Sequence, residues 1–253
     1  MMQLDDYLAR LELSNVETAN TSLLHRLHER HLLKVPFENL DIRAGIPILL
    51  DENRILEKIV THRRGGICYE LNIAFAWLLR ELGFNVEILA ADVHTDQGKP
   101  SGRPTDHLVL RVELAEPWIC DVGFGDAFLY PLKMDDSKPV KQLVGTFRVV
   151  DEGDQGRAVQ RFEREIGEFR TLYSFEPTPR SIEDFEDACR YHQTSDESKF
   201  TQRSVCTMAI PDGRIVIYED RVVIRRRGRE EVQPLPTPES REAALRRHFG
   251  IVL

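Results

Sequence analysis

The sequence predicts an α+β protein in three parts: residues 1–83 helical, 84–180 rich in β-strand, and 181–253 mixed. Three observations carry this. Apolar residues recur at helix spacing through the first part, the period shortens to that of strands after Phe84, and helix and strand signals mix after Ser181. Strands follow helices instead of alternating with them, which argues against a parallel doubly wound sheet, and no internal repeat is present.

Leu4, Tyr7, Leu8 and Leu11 form one helical face, and Leu23, Leu24 and Leu27 form a second behind an N-cap at Asn20 or Thr21. Asp51 caps a third segment carrying Ile55, Leu56, Ile59 and Val60. After the break at Gly65-Gly66, a strongly apolar stretch runs from Cys68 to Leu82 and stops at Gly83. The spacing predicts a small helical bundle.

Strands are expected at 86–88, 107–112, 118–120, 146–150 and 169–175, with turn residues between them. Ser181-Ile182-Glu183-Asp184 is a capping-box variant that opens a helix. A three-stranded meander follows at 205–210, 214–218 and 222–226, with Pro211-Asp212-Gly213 as its first turn. Thr237-Pro238, a cap followed by proline, opens a closing helix through Leu245 and Phe249.

Composition supports a folded domain: of 253 residues, 42% are apolar and 30% charged, with 15 Gly and 13 Pro. A chain of this length buries roughly three quarters of its unfolded surface. Net charge is −8, from 34 basic and 42 acidic residues, and the basic runs Arg63-Arg64 and Arg225-Arg226-Arg227 are short. Nucleic acid and anionic membranes are therefore poor partners. The start, Met1-Met2-Gln3-Leu4-Asp5-Asp6, has no signal-peptide pattern, and no apolar run approaches the roughly 20 residues of a membrane span. A cytoplasmic protein is expected, either a monomer or a weak homodimer.

The four cysteines, at 68, 120, 189 and 206, show no CxxC pair and no metal-ligand spacing with the eight histidines. Free thiols and no metal site are expected.

The most informative stretch is Arg63-Arg64-Gly65-Gly66-Ile67-Cys68-Tyr69-Glu70, where two glycines permit a sharp turn and Cys68 falls on the first turn of a helix. Free backbone N–H groups and the positive end of the helix dipole there favour an anion, so a lowered thiol pKa and a site for a developing oxyanion are expected. The alternative is a plain helix–helix turn with a small buried cysteine.

Partners for a nucleophile come from a hairpin. Thr105-Asp106-His107-Leu108 begins one strand, 118–123 ends the next, and Leu114-Ala115-Glu116-Pro117 lies between them. With a three-residue loop at 114–116, His107 faces position 123 and Asp121 is its diagonal neighbour on the same face. Asp121 then either orients the imidazole or bonds the Gly123-Phe124-Gly125 loop. Cysteine, histidine and aspartate in that order match a nucleophile, its base and the group that fixes the base's tautomer. His25, His28 and His31 sit on a polar helical segment and are expected to face solvent; His62, His94, His192 and His248 have no usable acidic or thiol neighbour. Cys120, in an apolar run, and Cys189 and Cys206 are expected to be packing residues.

At these residues the chain resembles the arylamine N-acetyltransferases. The matching motifs are Val35-Pro36-Phe37-Glu38-Asn39-Leu40, Arg64-Gly65-Gly66-Ile67-Cys68-Tyr69-Glu70-Leu71-Asn72, His107-Leu108 and Asp121-Val122-Gly123-Phe124-Gly125. The resemblance spans about 35–200. It implies a helical bundle, an antiparallel β-barrel and an α/β lid around a cysteine-proteinase-like core.

It also implies Cys68 as acyl acceptor, His107 as proton acceptor and Asp121 as orienting carboxylate in a ping-pong transfer from acetyl-coenzyme A to an arylamine, hydrazine or N-hydroxyarylamine. Phe37, Val93, Phe124 and Phe200 fall where relatives line the acceptor pocket. Thr105, Gly123, Phe124 and Gly125 are candidate coenzyme A contacts, the glycines because they allow close backbone approach. Glu38 and Arg64 would form an ion pair bracing the cysteine loop.

Two departures stand out: Asp196 replaces a frequent proline, and Asp106 places an acid next to His107. Lys99, Arg103, Lys199 and Arg203 could supply a basic patch for the anionic co-substrate. The rival readings are an amide synthase closing a macrolactam from a carrier-bound thioester, a Cys-His-Asp peptidase or transglutaminase-like enzyme, and a non-catalytic binding module.

Overall fold

The computed structural model describes residues 3–14, 16–95, 98–153 and 156–253. Near the N-terminus lie α1 (Leu4–Arg10) and α2 (Thr21–Lys34), the second capped by the Asn20 side chain, which accepts from the Leu23 N–H at 2.9 Å. Two short elements that the sequence reading lacked follow, β1 (Phe37–Glu38) and α3 (Leu40–Ala44). Asp51 caps α4 (Glu52–Leu56) as expected, and one π-helical turn at Glu57–Thr61 carries the chain towards α5 (Cys68–Glu81). Eleven of the fourteen residues of α5 are buried, which makes it the axis of the helical part.

An eight-stranded antiparallel sheet comes next. It comprises β2 (Asn85–Val93), β3 (His107–Glu113), β4 (Pro117–Cys120), β5 (Leu132–Lys133), β6 (Val140–Gln142), β7 (Gly145–Asp151), β8 (Arg157–Glu163) and β9 (Glu168–Pro179). Its order is β5-β4-β3-β2-β9-β8-β7-β6, and β5 curls round against β7 to leave a nearly closed barrel. Phe128, Phe147, Val159 and Tyr173 fill its interior. Three of these strands were not expected from sequence: β5 and β6 are too short to show a period, and the charged residues of β8 mask its apolar ones.

Beyond a 3₁₀ turn at Ile182–Phe185 lie α6 (Glu186–Thr194) and α7 (Lys199–Gln202). The expected three-stranded meander is larger than predicted. β10 (Cys206–Ile210), β11 (Gly213–Ile217) and β12 (Arg221–Arg226) are joined by β13 (Arg229–Pro234), and β1 pairs with β10 from the other end of the chain. The side chains of β13 are mostly exposed, so its sequence lacks the apolar alternation that betrays a half-buried strand. Thr237 caps α8 (Pro238–Phe249), which ends at Gly250 in the left-handed region (φ 71°) and packs its Leu245 and Phe249 on this second sheet. Among the described residues, no helix is long and apolar enough to cross a membrane.

The histidines of α2 overturn the expectation that they face solvent. His28 and His31 are fully buried, and His25 packs edge-on against Trp118 at 5.0 Å. His28 stacks on Phe128 (centroids 5.5 Å apart) and its Nδ1 lies 2.9 Å from the Leu129 carbonyl oxygen; His31 Nε2 lies 2.9 Å from the Tyr7 hydroxyl. A face that reads as polar in composition is thus a core face: His28 has both ring nitrogens bonded inside the protein, while His25 Nε2 and His31 Nδ1 are buried without a partner among the described residues.

Beneath the start of α5 sits a buried ionic network. The Arg64 guanidinium reaches Glu38 and Asp41 at 2.8 Å each, and the Lys58 ammonium reaches Asp41 and Glu70 at 2.7 Å each. The expected Glu38–Arg64 pair is one edge of it. Glu38 is fully buried and spends its second oxygen on the Leu40 N–H at 2.8 Å.

Removing one partner of a buried pair strands the other's charge. Arg64→Met should therefore lower the unfolding free energy by about 3 kcal/mol. Arg190→Ala, which breaks the exposed Arg190–Asp187 pair, should cost under about 1 kcal/mol. Urea titrations that gave equal losses would contradict this account.

Burial drives the His28 pKa down from 6.5 to about 4 and His31 well below 6.5. As pH falls through that window the unfolded chain binds protons that the folded chain refuses, so stability falls with pH by up to about 1.4 kcal/mol per unit per histidine. The urea midpoint should drop between pH 7 and pH 5; an unchanged midpoint would refute the buried-neutral assignment.

Candidate active site

Cys68 is the first residue of α5. The loop before it is set by close approach, and neither of its glycines has a positive φ; the left-handed residue is Arg63, at 52°. A β-carbon on Gly65 would collide with the Pro36 carbonyl oxygen, and one on Gly66 would sit 2.7 Å from the Glu70 side chain. Glu70 in turn accepts from the Ile67 N–H at 3.0 Å, closing the helix start over the ionic network. Gly65-Gly66 therefore serves packing where the sequence reading assigned it a sharp turn.

The β3–β4 hairpin has the anticipated register, Glu113 opposite Pro117 and Leu110 opposite Cys120. It brings His107 Nε2 within 2.8 Å of Asp121 Oδ2, with both residues almost fully buried. Both readings of Asp121 hold together, one oxygen for each. Oδ1 accepts from Asn72 Nδ2 at 3.0 Å and from the Gly123 and Phe124 N–H groups at 2.9 and 3.1 Å. Burial acts to raise the Asp121 carboxyl, but His107 and these donors outweigh it and hold the group below the ordinary carboxylate range.

Two supporting residues escaped the sequence reading. Asn72, one turn beyond Cys68, also donates to the Leu108 carbonyl at 2.6 Å and accepts from the Val122 N–H at 3.0 Å. Its position four residues after Cys68 on a buried helix was the available signal. His28 Nε2 accepts from the Asp121 N–H at 3.1 Å, a link across 93 residues that no local pattern announces.

Cys68 and His107 both line a cavity of about 480 Å³, together with Phe37, Val93, Phe124 and Phe200. Phe37 and Phe200 lie 5.7 Å apart, and Phe124 stands edge-on to His107 at 5.4 Å. Gly123 and Gly125 reach the lining as well. At Gly123 the missing β-carbon is claimed by α5, since it would fall 2.8 Å from Cys68 Cα, so this glycine answers to the helix. Thr105 does not belong to the lining; its carbonyl accepts from the Tyr69 hydroxyl at 2.9 Å.

Of the expected basic patch, Arg103 and Lys199 line the cavity while Lys99 and Arg203 do not, and Arg214 and Arg225 join from the second sheet. Asp106 does not pair with its neighbour His107. It lies 3.0 Å from His192, which the sequence reading had set aside.

The expected low thiol pKa is reversed. Burial pushes the Cys68 thiol up, with the nearby Cys189, Asp121 and Asp106 adding to the rise and the Tyr69 N–H only partly opposing it. A helix start contributes about 1 kcal/mol to an anion, which is less than the cost of stripping water from a thiolate. Ionising this sulfur therefore requires a base beside it.

A family model described as N-acetyltransferase matches residues 20–253. A pineal gland isozyme of arylamine N-acetyltransferase from Gallus gallus is 32% identical over 232 residues, covering 84% of this chain and 79% of the relative. The chain belongs to the arylamine N-acetyltransferase family. The arylamine N-acetyltransferase of Escherichia coli K12 is 31% identical over 258 residues, covering 98% of this chain and 88% of that one. The Salmonella typhimurium arylamine N-acetyltransferase structure superposes with a TM-score of 0.92 at 29% identity, covering 98% of this chain and 90% of that chain. A Bacillus cereus arylamine N-acetyltransferase shares the fold across both whole chains (TM-score 0.91, 22% identity) and is described with a Cys-His-Glu triad. Here the carboxylate against His107 is an aspartate.

All four cysteines are buried, and Cys68 alone among them lines the cavity. Iodoacetamide should therefore modify Cys68 first, and His107→Ala, which removes the imidazole lining the same cavity, should slow that reaction at least about tenfold. Peptide mass spectrometry reads the order; equal labelling of all four would overturn it.

Proposed function

We propose that this acyltransferase moves an acetyl group from acetyl-coenzyme A, through a thioester on Cys68, to an arylamine, hydrazine or N-hydroxyarylamine. The observation that carries this reading is the His107–Asp121 pair, buried against the cavity that Cys68 also lines. With a carboxylate at Nε2, the neutral imidazole carries its proton there and keeps the Nδ1 lone pair free for the thiol proton. The sulfur attacks the acetyl carbonyl as it loses that proton, and the first-turn amides of α5 hold the oxyanion. The coenzyme A thiolate leaves and takes the proton back from His107.

The aromatic wall formed by Phe37, Phe124 and Phe200 then receives a flat amine, which is neutral and nucleophilic near neutral pH. Arg103, Lys199, Arg214 and Arg225 give an acidic protein a basic rim for the coenzyme's phosphates. Gly123, Phe124 and Gly125 stay within reach of its pantetheine arm, whereas Thr105 serves Tyr69.

On this reading, 1–83 supplies the nucleophile, 84–180 the base and its carboxylate, and 181–253 a lid carrying Phe200, together a cysteine-proteinase-like arrangement.

Mixing the protein with acetyl-coenzyme A should add one acetyl group, located on Cys68 by mass spectrometry, and aniline should discharge it. Cys68→Ser should abolish turnover while Cys120→Ser leaves it intact. Asp121→Asn presents an amide to His107 and favours the wrong tautomer, so the rate should fall by about 10³- to 10⁴-fold. Turnover by the Cys68→Ser variant would end the proposal.

A further inference from the structure

A second histidine–carboxylate pair faces the same cavity. His192, on α6, places Nε2 3.0 Å from Asp106 Oδ1 and 3.3 Å from the Asp106 carbonyl oxygen. Both of those atoms only accept, so Nε2 carries the proton and the neutral ring keeps its lone pair on Nδ1. Among the described residues Nδ1 has no hydrogen-bond partner, and it is not among the polar atoms sealed inside the protein. The Asp106 backbone carbonyl thus fixes the His192 tautomer, with the Asp106 carboxylate in ion-pair range beside it, and one nitrogen is left for the cavity, as for His107.

Its surroundings fix the ring. Phe200 lies 5.1 Å away, Tyr191 5.6 Å and Tyr69 6.1 Å, centroid to centroid. Tyr69, the neighbour of Cys68, donates its hydroxyl to the carbonyls of Thr105 and Asp106, at 2.9 and 3.1 Å, and so immobilises the backbone that carries the carboxylate. Asp106 stays ionised: burial acts to raise it, but His192, Ser101 and Arg103 hold it below the ordinary range. Asp106 also precedes His107, so the two histidines are referenced to one stretch of backbone.

We propose that His192 receives the incoming amine, accepting a hydrogen bond from its N–H at Nδ1 and taking that proton as the amine attacks. This role rests on the acetyl-transfer reading above. An aryl ring lying against Phe200 and Phe37 puts its amino group on the polar wall where His192 stands. In the step, the C–N bond forms, the C–S bond to Cys68 breaks with its electron pair returning to Sγ, the amine proton passes to His192 and from there exchanges with solvent, and Sγ regains a proton through His107, which restores the thiol. His107 serves the thiol and His192 the nitrogen. The substrate class follows: a neutral aromatic amine or hydrazine that bears at least one N–H.

The test separates the two half-reactions in the full-length protein. In His192→Gln, acetylation of Cys68 by acetyl-coenzyme A should stay within about twofold of the unsubstituted rate, while discharge of the acetyl-enzyme by aniline should slow about 10²-fold. Asp106→Asn should slow discharge in the same direction, and the double variant should lose no more than the worse single one. Equal slowing of both half-reactions would show that the pair merely ties α6 to the β3 loop, and unchanged discharge would exclude a role for His192; either result overturns the proposal. If His192→Gln does not fold, the same measurement on Asp106→Asn decides. Absence of any acetyl group on Cys68 in the unsubstituted protein would overturn the underlying reading and this role together, whereas acetylation with normal discharge in the variants overturns this role alone.

Discussion

A carboxylate cut off from water must receive all its hydrogen bonds from the protein, and the way Asp121 obtains them organises the molecule. One oxygen faces His107; the other collects Asn72 from α5 and two amides of its own loop; its backbone N–H is taken by His28 from α2. Helical part, barrel and cavity wall therefore meet at a single residue. The tautomer of His107, the position of the Gly123 loop and the seating of α5 are consequences of satisfying one buried group.

The thiol of Cys68 is governed by the opposite imbalance. Cys68 is buried at a helix start that offers it little, and its thiol is pushed up rather than down. Such a sulfur stays inert towards casual electrophiles until a base is aligned with it, which couples reactivity to the geometry of the hairpin. The floor under it is ionic. Two cations shared among three acids hold the loop that carries Arg64, Gly65 and Gly66, and the glycines are there because no side chain fits between that loop and Pro36 or Glu70.

Local patterns revealed much of this arrangement. Caps at Asn20, Asp51 and Thr237 marked helix starts because a short polar side chain before an apolar run has one favourable use. The three-residue loop at 114–116 was enough to place His107 near Asp121, since hairpin register follows from loop length. What stayed hidden depends on contacts far apart in the chain. His28 and His31 read as polar residues on a polar helix, and only their distant partners make them core. Asp106 stands beside His107 in sequence yet bonds His192, 86 positions away. The direction of the Cys68 shift depends on how completely the fold excludes water, which a motif does not encode. β13 and β1 were missed because an exposed edge strand and a two-residue strand carry no periodicity.

β1 has a further meaning. Phe37 and Glu38 leave the helical part to become an edge of the C-terminal sheet, pairing with Thr207 and Cys206, while the same two residues touch the cavity and the ionic floor. Segments about 170 residues apart in the chain are sewn together at the wall of the cavity that Cys68 lines. A fragment ending before residue 206 would expose that edge and loosen a wall of the pocket, and swapping a C-terminal segment between relatives would reshape the pocket from afar.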